Sequence, residues 1–212
     1  MIRGRLPARW WWPRGHGSAR SRAGVLFAAG ALALALGPLR GVLEAGMATH
    51  MLVQFPLLIV AGLALAGAFP PRPAAHVPAG RRDWNHLGIA GLAFAVAVLA
   101  VSMIPRLLDL ALFDARVEAL KLIALFVTGA LLRWSWPKAG LIVQGFFLGN
   151  VLPMTAVVGI LYRDSPVRLC NNYRFDEQWL VGTILVVLAL VAGAAWLVFA
   201  GCRMHRAEMA LR

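Results

Sequence analysis

In the stretch MATHMLVQF, Met47, His50, Met51 and Gln54 put two thioethers, an imidazole and an amide into an apolar run that continues to Phe69. At about 100° per residue in a helix, with Met47 as origin, Met51 falls near +40°, Gln54 near −20° and His50 near −60°. The four therefore share one stripe, and a polar stripe in a membrane helix must face the bundle rather than lipid. Thioether sulfur and imidazole are soft and borderline donors that suit Cu(I), whereas hard cations want clustered carboxylates. Met103 ends the next apolar run, and Asn150 and Met154 stand four apart around Pro153, at a similar predicted depth. The candidate metal ligands are thus His50, Met47, Met51 and Met154, with Gln54, Asn150 and Met103 in support. The same residues admit a plainer chemistry, because methionine fills helix interfaces and a histidine and a glutamine pair by hydrogen bonds between helices.

The elements that must position these side chains are membrane helices. Hydrophobic residues make up 60% of the 212-residue chain and charged ones only 14%, and the mean hydropathy is +0.73. Crossing a hydrocarbon core of about 30 Å takes roughly 20 apolar residues, and lipid leaves backbone groups no partner outside a helix. Six runs answer to that description, over 23–37, 47–69, 86–104, 117–134, 139–162 and 178–202. Pro38, the PPRP of 70–73 and Pro105 close the first three sharply. The expected architecture is all-α, a polytopic integral membrane bundle. It comprises a basic Trp/Arg-rich tail over 1–22, a transmembrane domain over 23–202 and a short tail over 203–212.

Charge sets the orientation. With six spans, fourteen Lys and Arg and two acids fall on one side, against seven of each on the other, and the positive-inside rule puts both termini in the cytoplasm. The formal charge of +12 is confined to the cytoplasmic flanks, where topology and anionic headgroups account for it, so no nucleic-acid role is read from it. Trp84, Trp134, Trp136, Trp179 and Trp196 fall at or near run ends, as an aromatic belt would have them, and Trp10 to Trp12 lie amid the arginines of the tail. Residues 23–37 also fit a signal peptide's apolar region; a retained span is preferred, since no soluble portion needs export. Lys121 is the clear charge within a span and is expected to snorkel to the outer surface beside Glu118. Cys170 and Cys202 fall on opposite sides, which excludes a disulfide between them, and CNNY reads as a turn.

Gly145 and Gly149 form a GxxxG expected to pack helices closely, and Gly62 with Ala66 is a similar pair. The sequence contains no Walker motif, GxSxG or HExxH, and no geometry can be proposed for a Ser/His/acid triad, so a non-enzymatic protein is expected. His50 and His86 fall at opposite depths, which excludes a bis-histidine haem site from this chain alone.

The segment THMLVQFPLLIVAG, residues 49–62, resembles the histidine-methionine core of the CtaG-type cytochrome c oxidase assembly factors, polytopic bacterial membrane proteins. His50 and Met51 match that motif, with Pro56, Leu57 and Leu58 following, while Gly46 stands where the family commonly carries a further histidine. The resemblance implies a bacterial inner-membrane assembly factor that helps insert copper into a haem-copper oxidase or a similar membrane copper enzyme. The alternative from the residues alone is an accessory subunit of a larger membrane complex with no metal role.

Overall fold

The computed structural model describes residues 18–37, 39–69 and 84–209; Trp10 to Trp12 and the PPRP segment lie outside them. The order of elements is α1 (Ser18–Leu36), α2 (Arg40–Glu44), a π-helical turn (Thr49–Gln54) running into α3 (Phe55–Ala68), a 3-10 turn (His86–Gly88) leading to α4 (Ile89–Ser102), α5 (Pro105–Phe113), α6 (Ala115–Ser135), α7 (Leu141–Asp164) and α8 (Phe175–Met209). Among the described residues, three helices are long and apolar enough to cross a membrane: Thr49–Ala68, Leu141–Asp164 and Phe175–Met209. A fourth span results if α4 and α5, bent by 78° at their junction, are taken together. The chain is an all-α bundle consistent with a membrane protein.

Several boundaries differ from the sequence reading, each for a local reason. The connection at 105–116 is not a simple loop: Pro105 occupies the first turn of α5, where a missing N–H costs nothing, and the Asp114 carboxylate then caps α6 by accepting from Arg116 N at 2.8 Å. Residues 203–209 are not a separate tail, because they contain no glycine or proline and α8 continues through them to Met209. At the opposite end, Asn85 ties the start of α4 to the end of α6. Its Nδ2 donates to Ser135 Oγ at 2.9 Å, and its Oδ1 accepts from Gly91 N at 3.1 Å. Gly88, at φ +73°, sits directly against the Ser135 carbonyl, so glycine is required there twice over.

Close helix packing occurs at glycines, at Gly62 as expected but not through the pair Gly145 and Gly149. A Cβ on Gly62 would collide with the Phe126 carbonyl oxygen, and one on Gly129 with the Ile59 carbonyl oxygen, so α3 and α6 meet backbone to backbone. A second such contact joins α7 to α8, where a Cβ on Gly159 would stand 2.7 Å from Gly182 O and one on Gly182 2.5 Å from Gly159 O. Gly145 faces the Trp196 ring of α8, and Gly149 faces open space. The GxxxG of Gly145 and Gly149 therefore does not hold two backbones together within this chain, because its second glycine points away from every described neighbour. Ala66 is buried as expected, and α1 packs on α3 through Ala28, Ala31 and Ala61.

Gly129→Leu should lower the stability of the purified protein by about 2 to 3 kcal/mol or prevent folding, since the added side chain must separate α3 from α6. Gly149→Leu should leave unfolding of the isolated chain unchanged. Thermal unfolding of both variants in detergent checks the contrast, and an unfolding midpoint at the parent value for Gly129→Leu would refute the packing.

Candidate functional site

The polar stripe of the opening segment is buried throughout. Met47, His50 and Gln54 have no measurable exposure and Met51 is 5% exposed. His50, Met51 and Gln54 lie on a π-helical turn, whose extra residue per turn re-aims side chains and which occurs often at functional sites. Met47 precedes that turn, and its backbone N–H donates to Glu177 Oε2 of α8 at 2.7 Å, so a carboxylate stands where free helix N–H groups need an acceptor. A side chain at Gly46 would come within 3.1 Å of that carboxylate. Glu177 thus fills the space where the family resemblance would place another histidine.

His50 is engaged at both ring nitrogens. Nδ1 lies 2.5 Å from the Tyr173 hydroxyl and Nε2 lies 2.8 Å from Lys121 Nζ. A lysine ammonium can only donate, so with Lys121 charged Nε2 is the acceptor and Nδ1 carries the ring proton toward Tyr173. The Phe55 ring packs edge-on against the imidazole, with centroids 5.4 Å apart. Lys121 Nζ also lies 3.8 Å from Glu44 Oε1. That same oxygen accepts from Gln54 Nε2 at 3.2 Å, while Glu44 Oε2 accepts from Arg40 Nε at 3.0 Å. Arg40 completes the set by pairing its other guanidinium nitrogen with Glu118. Two cations thus face two carboxylates around a neutral imidazole, and the buried charge is balanced.

The network corrects the expectation for Lys121, whose side chain is only 3% exposed. It turns inward because α2 folds back over the bundle and supplies Glu44, leaving Glu118 to Arg40. Tyr173 reaches His50 because the loop between α7 and α8 is strapped down. Asp109 of α5 accepts from Asn171 N at 2.9 Å and from Asn172 Nδ2 at 3.2 Å. Gln178 accepts from Leu169 N at 2.8 Å and donates to Tyr162 O at 3.0 Å. In this loop, burial and then the Glu44 carboxylate hold the Tyr173 phenol above its usual range, so it remains a neutral O–H. Burial, reinforced by Asp109, pushes the Cys170 thiol up to about 12, which makes it an inert loop residue at neutral pH. For Glu44, burial favours the neutral acid, but hydrogen bonds from Gln54 and Arg40 and the Lys121 charge outweigh it and hold the carboxyl below its ordinary value.

The other candidates do not join this network. Asn150 is exposed on α7, and its Nδ2 turns back to donate to Phe146 O at 2.7 Å. Met154 is half-buried on the same helix, whose main neighbours are α8 and α4, whereas the π-helical turn packs on α2 and α3. Met103 is half-buried at the end of α4, where its carbonyl accepts from the Tyr162 hydroxyl at 2.7 Å. Among the described residues, no group of three or more His, Cys, Asp and Glu side chains is arranged to hold a metal ion. Sequence reasoning found the stripe and set Glu118 beside Lys121, but missed Arg40, Glu44 and Tyr173. The available signal was Lys121 itself, since a charge inside a span calls for named partners. Comparison with protein-family models, with curated proteins and with solved structures gives no match.

Lys121→Met should destabilise the protein by about 3 to 5 kcal/mol, because it leaves Glu44 short of a cation and His50 Nε2 without its donor. The double variant Lys121→Met/Glu44→Gln should recover part of that loss by removing the uncompensated charge. Chemical unfolding of the parent, both single variants and the double variant reads the coupling, and strictly additive effects would contradict a working pair.

Proposed function

We propose that this chain is a non-enzymatic accessory or assembly protein of a larger membrane complex. It is a six-span bundle of a bacterial cytoplasmic membrane with both termini inside and the His50 cluster at the outer side. The observation that carries the reading is the closure of that cluster: both nitrogens of His50 are engaged and two cations balance two carboxylates. Such an arrangement fastens α2, the π-helical turn, α6 and the outer loop into one surface. Among the described residues it presents no nucleophile with a base, and neither nitrogen of His50 is open to a metal, while Gln54 Oε1 and Glu118 Oε1 remain buried without a hydrogen-bond partner.

The proposed orientation draws its support from the division of charge, with the basic excess on the side assigned to the cytoplasm. Reporter fusions after Asp114 and after Cys170 should behave as exported and a fusion after Met209 as cytoplasmic; cytoplasmic behaviour of the first two would reverse the model.

A second reading, delivery of Cu(I) to a haem-copper oxidase or related copper enzyme, is favoured by one observation: Met47, His50 and Met51 lie buried beside one another on adjoining turns. As arranged, the donor set does not fit the metal, because Lys121 occupies the nitrogen a copper ion would need. The two readings separate on four preparations, the parent, His50→Ala, Met47→Leu and Met51→Leu, assayed for bound copper and thermal stability under reducing conditions. On the accessory reading the parent holds no copper above background. His50→Ala loses about 2 kcal/mol or more by orphaning Lys121 and Tyr173, and the methionine variants change little. Stoichiometric copper in the parent that disappears in His50→Ala would replace it with the delivery reading.

A further inference from the structure

The outward face of α7 carries Ile142, Phe146, Gly149, Asn150, Pro153 and Val157, all exposed. At about 100° per residue they fall within a stripe of roughly 100°. The apolar members need no explanation on a helix that crosses a membrane. Asn150 does, because it is the tenth residue of the 24 in α7, about 13 Å along the axis from Leu141, at a depth where lipid offers no hydrogen-bond partner. One amide proton is used on Phe146 O, and among the described residues the amide makes no other hydrogen bond. The residue is exposed, so its carbonyl oxygen and second proton are left without a partner among the described residues. Pro153, lacking an N–H, also deprives the Gly149 carbonyl of its usual intrahelical donor on this face.

We propose that this face of α7 is the interface of a homodimer, in which Asn150 pairs with Asn150 of a second copy across a two-fold axis. The inference rests on α7 spanning a membrane and is independent of the role assigned to the His50 cluster. The charge division between the two sides gives every copy the same orientation, so a symmetric pair has its axis along the membrane normal. Such an axis sets each residue opposite its own counterpart at the same depth. An amide is self-complementary: the carbonyl oxygen of each copy accepts the second proton of the other, and the unpaired groups on both chains are met at once. A different helix would have to bring a matching donor and acceptor to that depth, whereas a second copy brings them by symmetry. Gly149 lies beside the amide with open space where a Cβ would stand, which lets two backbones approach.

The test uses the full chain in liposomes of neutral phospholipid. In a Cys170→Ala/Cys202→Ala background, Asn150→Cys should form a disulfide-linked dimer on mild oxidation. Leu190→Cys, at an exposed position on α8, should not. In energy-transfer measurements as protein is diluted into lipid, Asn150→Leu should weaken self-association by about tenfold. Asn150→Gln should retain it, and thermal unfolding at high lipid dilution, where the protein is dissociated, should be the same in both, since position 150 is exposed within the chain. The proposal is overturned if Asn150→Cys cross-links no more than Leu190→Cys, if Asn150→Leu associates as tightly as the parent, or if the parent remains monomeric at every lipid dilution. It is equally overturned if Asn150→Cys in native membranes links only to a different protein, which would assign the face to that partner.

Discussion

A lysine ammonium buried against an imidazole is the constraint around which one end of this bundle is arranged. Removing such a group from water carries a penalty of several kcal/mol unless acceptors surround it. Here the acceptors come from two elements remote in sequence, His50 on the π-helical turn and Glu44 on α2. Neither would stay in place alone, so each is held in turn. Tyr173 fixes the far side of the imidazole, and Arg40 fixes Glu44 while pairing with Glu118, one turn before Lys121 on the same helix. The loop that bears Tyr173 is itself tied to α5 through Asp109 and to α8 through Gln178. One buried charge thereby recruits five separate segments of the chain.

The register that lets these groups meet is set farther along the helices, where polarity plays no part. Gly62 and Gly129 bring α3 and α6 into backbone contact, and His50 and Lys121 each precede those glycines in sequence. The two helices therefore run in the same direction, and their crossing point below the polar groups determines the spacing above. Packing of small residues and pairing of charged ones are complementary here: the first supplies proximity and the second makes proximity specific.

The stripe of Met47, His50, Met51 and Gln54 was legible in the sequence because period alone shows that polar groups on one helical face must turn inward. Its partners were not legible, for identifiable reasons. Arg40, Glu44 and Glu118 count toward orientation when read along the chain, and nothing local indicates that α2 doubles back over α6. Lys121 has a stem long enough to reach the surface, and only the position of Glu44 decides that it does not. Asn150 and Met154 have the right spacing and depth for a shared site, but depth says nothing about azimuth, and α7 turns them away from His50. Gly149 illustrates the same limit: a GxxxG shows that close approach is possible without saying whether the approaching helix belongs to the same chain. The apolar runs placed every long helix to within a few residues, except where α8 continues past its apolar stretch on helix-forming polar residues.

The length of α8 has a mechanical consequence. Its 35 residues extend about 52 Å at 1.5 Å per residue, well beyond a hydrocarbon core of about 30 Å. The helix contains no proline, so it behaves as a single stiff rod. Its N-terminal end is clamped through Glu177 to Met47 N, just before the π-helical turn, and through Gln178 to Leu169 N of the loop between α7 and α8. A tilt of about 10° there sweeps the opposite end, with Arg203 and Arg206, through about 9 Å, and α7, packed on α8 at Gly159, Gly182 and Trp196, has to tilt with it. Any rearrangement of the charge cluster is thus carried, magnified, to the far end of this helix pair.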